Sequence, residues 1–198
     1  SASMIASRGC PYASKACDFC FAAYLSKTYR LRSPSEVVDE MAWLVERYDV
    51  SYVHFLDDLL LTDYRWALEF ADEIIQRELD LTWGGTCRTN IAADDIVRAR
   101  REGRPSFLER CYEAGMRHVG YGIESGSPTI LKSIDKSGQT VPKMELAIAE
   151  TKRIFGYADT SWMAGSPGET EATMRESVEF CKRTGLKPSV WFFTTAYP

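Results

Sequence analysis

Ser51-Tyr52-Val53-His54-Phe55-Leu56-Asp57-Asp58 is a run of β-branched and aromatic residues that stops at two carboxylates. Helical periodicity flanks it on both sides. Upstream, Val37, Val38, Met41, Leu44, Val45 and Tyr48 fall on one helical face, and Ser33-Pro34-Ser35-Glu36 before them reads as a capping box with proline in the first turn. Downstream, Trp66, Phe70, Ile74 and Ile75 mark a second helix. A strand between two amphipathic helices is the unit of a parallel sheet, and the same alternation runs through the chain. The other expected strands are Met4 to Ser7, Leu81 to Trp83 running toward Cys87-Arg88, His118 to Ile123, Asp159 to Ala164 and Ser189 to Thr194. Phe107, Leu108, Cys111 and Tyr112 mark a further helix ended by Gly115, and Met144, Ala147 and Ile148, then Met174, Val178 and Cys181, mark later ones. This α/β pattern fits a partial (β/α)6, TIM-like barrel better than a doubly wound sheet. In both architectures chemistry sits at the carboxyl ends of the strands. Cys10, Asp57, Asp58, Arg88, Glu124 and Gly165 all lie just past an expected strand.

The 198 residues, 45% hydrophobic and 26% charged, suffice for one sizeable core and exclude a disordered chain. Lys and Arg total 24 against 28 Asp and Glu, so bulk charge gives no general attraction for nucleic acid or acidic membranes. No apolar run is long enough to cross a bilayer, and Ser1 to Arg8 lacks the pattern of a signal peptide; a cytoplasmic protein is expected. Ala92 to Arg104, with Arg98, Arg100, Arg101 and Arg104 and no clear apolar face, reads as an insertion with a solvated surface. Because Thr194 to Pro198 follows a strand with no covering helix, residues 1–198 are expected to be one core domain excised from a longer protein.

Cys10, Cys17 and Cys20 crowd into a short stretch near the start. In a reducing compartment such clustering points to metal or redox chemistry rather than disulfides. Three thiolates on one loop suit zinc or an iron–sulfur cluster, and three rather than four leave a coordination position open. Cys87 or Cys111 is the alternative fourth ligand. His54 and His118 lie within strands and carry no assigned role; Cys181 reads as packing. Ser166 to Glu169 reads as a capping box.

Ser7-Arg8-Gly9-Cys10-Pro11-Tyr12 and Cys17-Asp18-Phe19-Cys20 resemble the cluster-binding loop of radical S-adenosylmethionine (radical SAM) enzymes, especially the cobalamin-linked branch. Phe55-Leu56-Asp57-Asp58, Gly122-Ile123-Glu124-Ser125-Gly126-Ser127 and Gly165-Ser166-Pro167-Gly168-Glu169-Thr170 resemble later motifs in the same order. The resemblance implies a radical SAM partial barrel whose Cys10, Cys17 and Cys20 hold a 4Fe–4S cluster, with S-adenosylmethionine chelated to the open iron. It assigns Phe19, Asp57, Asp58, Arg88, Glu124, Ser125 and Gly165 to the S-adenosylmethionine site: a carboxylate of Asp57-Asp58 for the methionyl ammonium, Arg88 for a carboxylate, Glu124 and Ser125 for ribose or methionyl groups, and Gly165 for close backbone approach. A helix-capping duty competes for Asp57-Asp58 and for Ser125, and a surface salt bridge for Arg88. The spacing departs from the family's Cys-x3-Cys-x2-Cys, since position 14 is serine; a three-residue insertion such as Ser14-Lys15-Ala16 is preferred over loss of the middle ligand.

The implied reaction is reductive cleavage of S-adenosylmethionine to a 5′-deoxyadenosyl radical that takes hydrogen from a small-molecule or peptide substrate. A reducing electron donor is required. The subclass is open, with a cobalamin-dependent methyltransferase or cyclase foremost, and cobalamin would be bound outside this chain. The rival reading is a non-catalytic zinc or iron–sulfur electron-transfer module.

Overall fold

A computed structural model describes residues 1–12, 17–21, 28–188 and 190–194. Its elements run β1 (Ala2–Met4), β2 (Ser7–Arg8), β3 (Arg30–Leu31), α1 (Pro34–Tyr48), β4 (Tyr52–Phe55), α2 (Tyr64–Gln76), β5 (Thr82–Cys87), α3 (Thr89–Glu102), α4 (Phe107–Glu113), β6 (Met116–Glu124), α5 (Pro128–Ser133), α6 (Val141–Phe155), β7 (Asp159–Ala164), α7 (Glu171–Thr184) and β8 (Val190–Phe193). Six strands form one sheet in the order β1-β4-β5-β6-β7-β8, every neighbouring pair parallel. Strands adjacent in the sheet follow one another along the chain, with helical crossovers between them, so the sheet winds in one direction and stays open between β1 and β8. This is the partial (β/α)6 barrel.

Alternation along the strands divides core from cavity. Val53 and Phe55 of β4, Trp83 of β5 and Val119, Tyr121 and Ile123 of β6 turn outward and are buried under the helices. Phe70 of α2 meets Phe55 and Trp83 edge to face, at 5.8 and 5.1 Å between ring centroids. Inward positions carry small or polar residues: His54 beside Gly84, Gly84 beside His118, Thr86 beside Gly120 and Gly122 beside Ser161. A Cβ at Gly84 would stand 2.8 Å from the His118 Cβ, so glycine is what permits β5 and β6 to lie together there. The same glycines hide the length of β5 in the sequence, because glycine lacks strand propensity.

Three expectations are corrected by the structure. Ala92 to Arg104 is no insertion; most of it is α3, the crossover after β5. Its buried face is Ala92, Ala93, Ile96 and Ala99, small residues that pack without a strong hydrophobic signature. Three of the arginines there are paired, Arg98 to the Tyr64 hydroxyl, Arg100 to Glu150 and Arg104 to the buried Asp95. The first strand ends at Met4 rather than Ser7; Ser7–Arg8 instead pairs antiparallel with Arg30–Leu31. The α1 capping box forms as expected between Ser33 and Glu36. The box expected at Ser166–Glu169 lies four residues on, at Thr170–Thr173, and Glu169 accepts a hydrogen bond from the Gly165 amide at 2.5 Å.

Candidate active site

The segment between β2 and β3 carries Cys10, Cys17 and Cys20 and is closed at its root by the β2–β3 pairing. The buried carboxylate of Asp57, just past β4, accepts hydrogen bonds from the Ala6 amide at 3.0 Å and from the Ser7 amide and hydroxyl, both at 2.5 Å. Those bonds bend the chain out of β1 and into β2. Farther along, the Cys20 amide donates to the Cys17 carbonyl at 2.9 Å, making a tight turn, and the Asp18 amide donates to the Ile134 carbonyl beyond α5 at 3.1 Å. Residues 13–16, with the expected insertion Ser14-Lys15-Ala16, lie outside the described residues.

A cavity of about 270 Å³ opens at the carboxyl ends of β4, β5 and β6. Cys10, Cys17 and Cys20 line it together with Asp58, Arg88 and Glu124. All three cysteines are half-buried free thiols. Burial raises the Cys10 and Cys17 pKa values above the ordinary 9.0, while the nearby charge of Arg88, and at Cys17 of Lys136, pulls the other way.

Asp58 is exposed at the rim and makes no hydrogen bond among the described residues. Arg88 follows β5 and is buried. Its Nη2 donates to the Ser137 carbonyl at 2.7 Å, and its guanidinium carbon sits 4.0 Å from the Tyr12 ring centroid. Its Nε is buried with no partner. A buried N–H that lacks an acceptor on the wall of a cavity asks for one from a ligand.

Glu124 closes β6 with φ of 62°, a left-handed conformation unusual for a residue with a side chain. The β6–β7 register shifts between Gly122 and Glu124, freeing two strand-end carbonyls. Lys136 donates to Gly122 O at 2.7 Å and to Glu124 Oε1 at 2.5 Å, and Gln139 donates to Ile123 O at 2.9 Å. A Cβ at Gly122 would stand 2.5 Å from Glu124 Oε1 and 2.9 Å from Lys136 Nζ, so glycine makes room for the ion pair. Burial lowers the Lys136 pKa, opposed by Glu124. The Lys136 ammonium also lies 5.9 Å from the ring centroid of Phe19, another residue of the cavity wall.

Three expected site residues do not line the cavity. Asp57 is consumed by Ala6 and Ser7. Ser125 is buried and bonds to Ser177 of α7 at 3.2 Å while accepting from the Ser127 amide at 3.1 Å. Gly165 has φ of 85° and turns the chain from β7 toward α7. Lys136 and Gln139 were not legible in the sequence: Asp135-Lys136-Ser137-Gly138-Gln139-Thr140 has the composition of a solvated turn, and only the fold buries Lys136.

The donor set suits a polynuclear cluster. Three half-buried free thiols on the wall of one cavity are the soft donors that an iron–sulfur cube takes. A cube binds each thiolate at a different iron and tolerates their separation. Cys87 lies on the cavity wall and Cys111 does not line it. Both are buried, their thiols bond to the Leu61 and Ala67 carbonyls, and burial pushes both pKa values far upward.

An open α/β barrel with a cysteine loop after its first strand, and a cavity at its strand ends where those cysteines meet charged side chains, is one defined class of protein. The chain belongs to the radical SAM superfamily, whose model matches residues 4–181; that family works with a 4Fe–4S cluster and S-adenosylmethionine. An uncharacterised methyltransferase of Pyrococcus horikoshii is 29% identical over 197 residues, covering 98% of this chain and 39% of that protein. An anaerobic magnesium-protoporphyrin IX monomethyl ester cyclase of Rubrivivax gelatinosus is 28% identical over 191 residues, covering 96% of this chain and 32% of the relative. The chain therefore spans well under half the length of these relatives. The structure of the radical S-adenosylmethionine methyltransferase of Kitasatospora setae, with cobalamin and a [4Fe-4S] cluster bound, superposes at a TM-score of 0.74. It is 21% identical and covers 98% of this chain and 34% of that one, a likeness of fold.

Proposed function

We propose that residues 1–198 are the core of a radical SAM enzyme in which Cys10, Cys17 and Cys20 hold the 4Fe–4S cluster and the same cavity holds S-adenosylmethionine. The observation that carries this reading is that one cavity is lined by all three cysteines together with Asp58, Arg88 and Glu124. When bound, the cluster supplies the electron that splits S-adenosylmethionine into methionine and a 5′-deoxyadenosyl radical. The chain's own residues bind and orient. Asp58 accepts from the methionyl ammonium, Arg88 Nε donates to the methionyl carboxylate, Glu124 accepts from ribose hydroxyls, and the Phe19 ring adds an apolar surface. Asp57 and Ser125 serve indirectly, the first by fixing the start of the cysteine loop and the second by packing the β6 end against α7.

The relatives' names favour a methyltransferase or cyclase acting on a small molecule. The cavity walls are already committed to the thiols and the polar groups, so cobalamin is assigned no residue here. The reaction requires a reductant. No helix among the described residues is long and apolar enough to cross a membrane, and free thiols suit the reducing cytoplasm; nucleic acid is not the partner expected of an acidic chain.

The test is anaerobic loading with iron and sulfide, reduction, and detection of 5′-deoxyadenosine from added S-adenosylmethionine. Product that disappears in Cys10→Ala, Cys17→Ala and Cys20→Ala supports the reading; an intact cluster without product refutes it.

A further inference from the structure

The best-buried charge pair among the described residues is not explained by holding the fold together. Lys136 and Glu124 keep only 6% and 10% of their side-chain surface exposed. Withdrawing two charges from water costs several kcal/mol, and apolar residues of similar volume commonly serve stability as well or better. The pair also stands on unusual backbone: Glu124 is left-handed, Gly122 is cleared of a side chain, and the β6–β7 register slips. Each feature aims the two side chains at one place on the cavity wall, which both of them line.

Lys136 Nζ spends two of its three N–H donors on Gly122 O and Glu124 Oε1. Glu124 Oε2 accepts from none of the described residues, and Glu124 lines the cavity. One carboxylate oxygen is thus locked, while the other carries no bond from the described residues. Without the lysine, a carboxylate at the end of a strand would rotate about its terminal torsion, which is broad for glutamate.

We propose that Lys136 is a positioning residue that fixes the Glu124 carboxylate so that Oε2 is presented to the vicinal diol of the S-adenosylmethionine ribose. Gln139 holds the same strand end through the Ile123 carbonyl but touches no carboxylate, which separates its duty from that of Lys136. The inference rests on the radical SAM reading of the cavity.

The experiment uses the cluster-loaded chain and four proteins: wild type, Lys136→Met, Lys136→Arg and Glu124→Gln. Two probes are titrated into each, S-adenosylhomocysteine and its 2′-deoxy counterpart, with iron content and apo-protein melting measured in parallel. In wild type the missing hydroxyl weakens binding by about 10- to 100-fold, the worth of a hydrogen bond to a charged group. In Lys136→Met, with iron content unchanged, binding of the ribose form weakens by a similar factor and the preference for it collapses. Lys136→Arg restores part of the preference, and Glu124→Gln lowers it. In turnover the Met variant raises KM for S-adenosylmethionine more than it lowers kcat. A Lys136→Met protein that keeps the wild-type preference overturns the inference while leaving the radical SAM reading intact. If Lys136→Met does not fold, Glu124→Gln decides, and an unchanged preference there overturns it too. A wild type that loads its cluster yet binds neither probe overturns the underlying reading.

Discussion

Asp57 and Asp58 are neighbours in sequence with opposite duties, and alanine at each position separates them. Asp57 is 6% exposed and accepts from the Ala6 amide and from the Ser7 amide and hydroxyl. In Asp57→Ala the hydroxyl can rotate to another partner, but the two amides are left unpaired in a buried place. Each such loss costs about 1–3 kcal/mol, and water entering the vacated space offsets part of it. The expected destabilisation is about 2–5 kcal/mol, a large share of the roughly 5–15 kcal/mol that holds a domain together. Asp57→Asn retains one acceptor oxygen and costs about half as much. Cys10 lies two residues beyond β2, so iron uptake falls with stability. Asp58→Ala removes an exposed side chain, shifts stability by no more than about 0.5 kcal/mol and leaves iron uptake intact. It weakens S-adenosylmethionine binding by about 10- to 100-fold, through loss of a charge-assisted bond to the ammonium. Urea titration of the apo-protein, iron content after loading and calorimetric titration of the loaded protein read the three quantities. An Asp57→Ala protein that unfolds at the wild-type urea midpoint, or that loads iron normally and fails only to bind S-adenosylmethionine, refutes the assignment and makes Asp57 the ligand.

Cys87→Ala and Cys111→Ala should each lose about 1 kcal/mol of stability by trimming a buried sulfur, with unchanged iron content; iron loss in either restores a protein fourth ligand. Gly126→Ala should cost about 1–3 kcal/mol in thermal or urea unfolding, because the new Cβ falls 2.8 Å from both Ser177 Cα and Phe180 Cβ of α7; a neutral change would show that the β6–α5 turn is not pressed on α7. Burial pulls the Glu109 pKa upward but is outweighed by the Ser106 amide and hydroxyl and the Arg153 guanidinium, so the carboxyl sits below its ordinary 4.5. A depressed carboxylate contributes stability above its unfolded value and loses it as pH falls through the folded one. Glu109→Gln should therefore cost about 0.5–1 kcal/mol at neutral pH, reduced by solvent screening of a partly exposed group, and that gap should close as the pH falls below 4.5 and through the lowered folded value. A gap that persists unchanged into acid would assign the cost to packing.

Sheet architecture was legible because it rests on local pattern. β7 spans the very residues Asp159 to Ala164 that alternation marks, and α1 begins at the capping serine. The gathering of Cys10, Asp58, Arg88 and Glu124 was legible for a different reason: a parallel sheet delivers every strand's carboxyl end to one rim, so position after a strand predicts address. What the sequence did not contain is which of two adjacent rim residues faces the cavity. Asp57 and Ser125 are each next to a residue that does, and their own side chains are captured by Ala6, Ser7 and Ser177, partners about fifty positions away. Lys136 was hidden for the converse reason, since its burial depends on the slipped register at the end of β6. Alanine likewise hid the inner face of α3, because methyl groups pack closely while contributing little to an amphipathic pattern.

The unusual cysteine spacing has a physical reading in the anchors on either side of residues 13–16. Before them, Tyr12 lies against the Arg88 guanidinium, and its hydroxyl accepts from Asn90 Nδ2 at 3.5 Å. After them, the Asp18 amide is tied to the Ile134 carbonyl and Cys20 is folded back on Cys17. Cys10 therefore belongs to one fixed point and the Cys17–Cys20 turn to another, and these are set by β5, α3 and the loop after α5, not by the residues between them. Lengthening a connection between two fixed points changes closure entropy only logarithmically, by a few tenths of a kcal/mol to about 1 kcal/mol for three added residues. Deleting Ser14-Lys15-Ala16 should then leave iron content and stability close to wild type, whereas Asp18→Pro, which removes the amide that grips Ile134, should lower iron content although every cysteine remains. If the deletion abolishes iron binding while Asp18→Pro does not, the length of the connection and not its anchors sets the positions of the thiols.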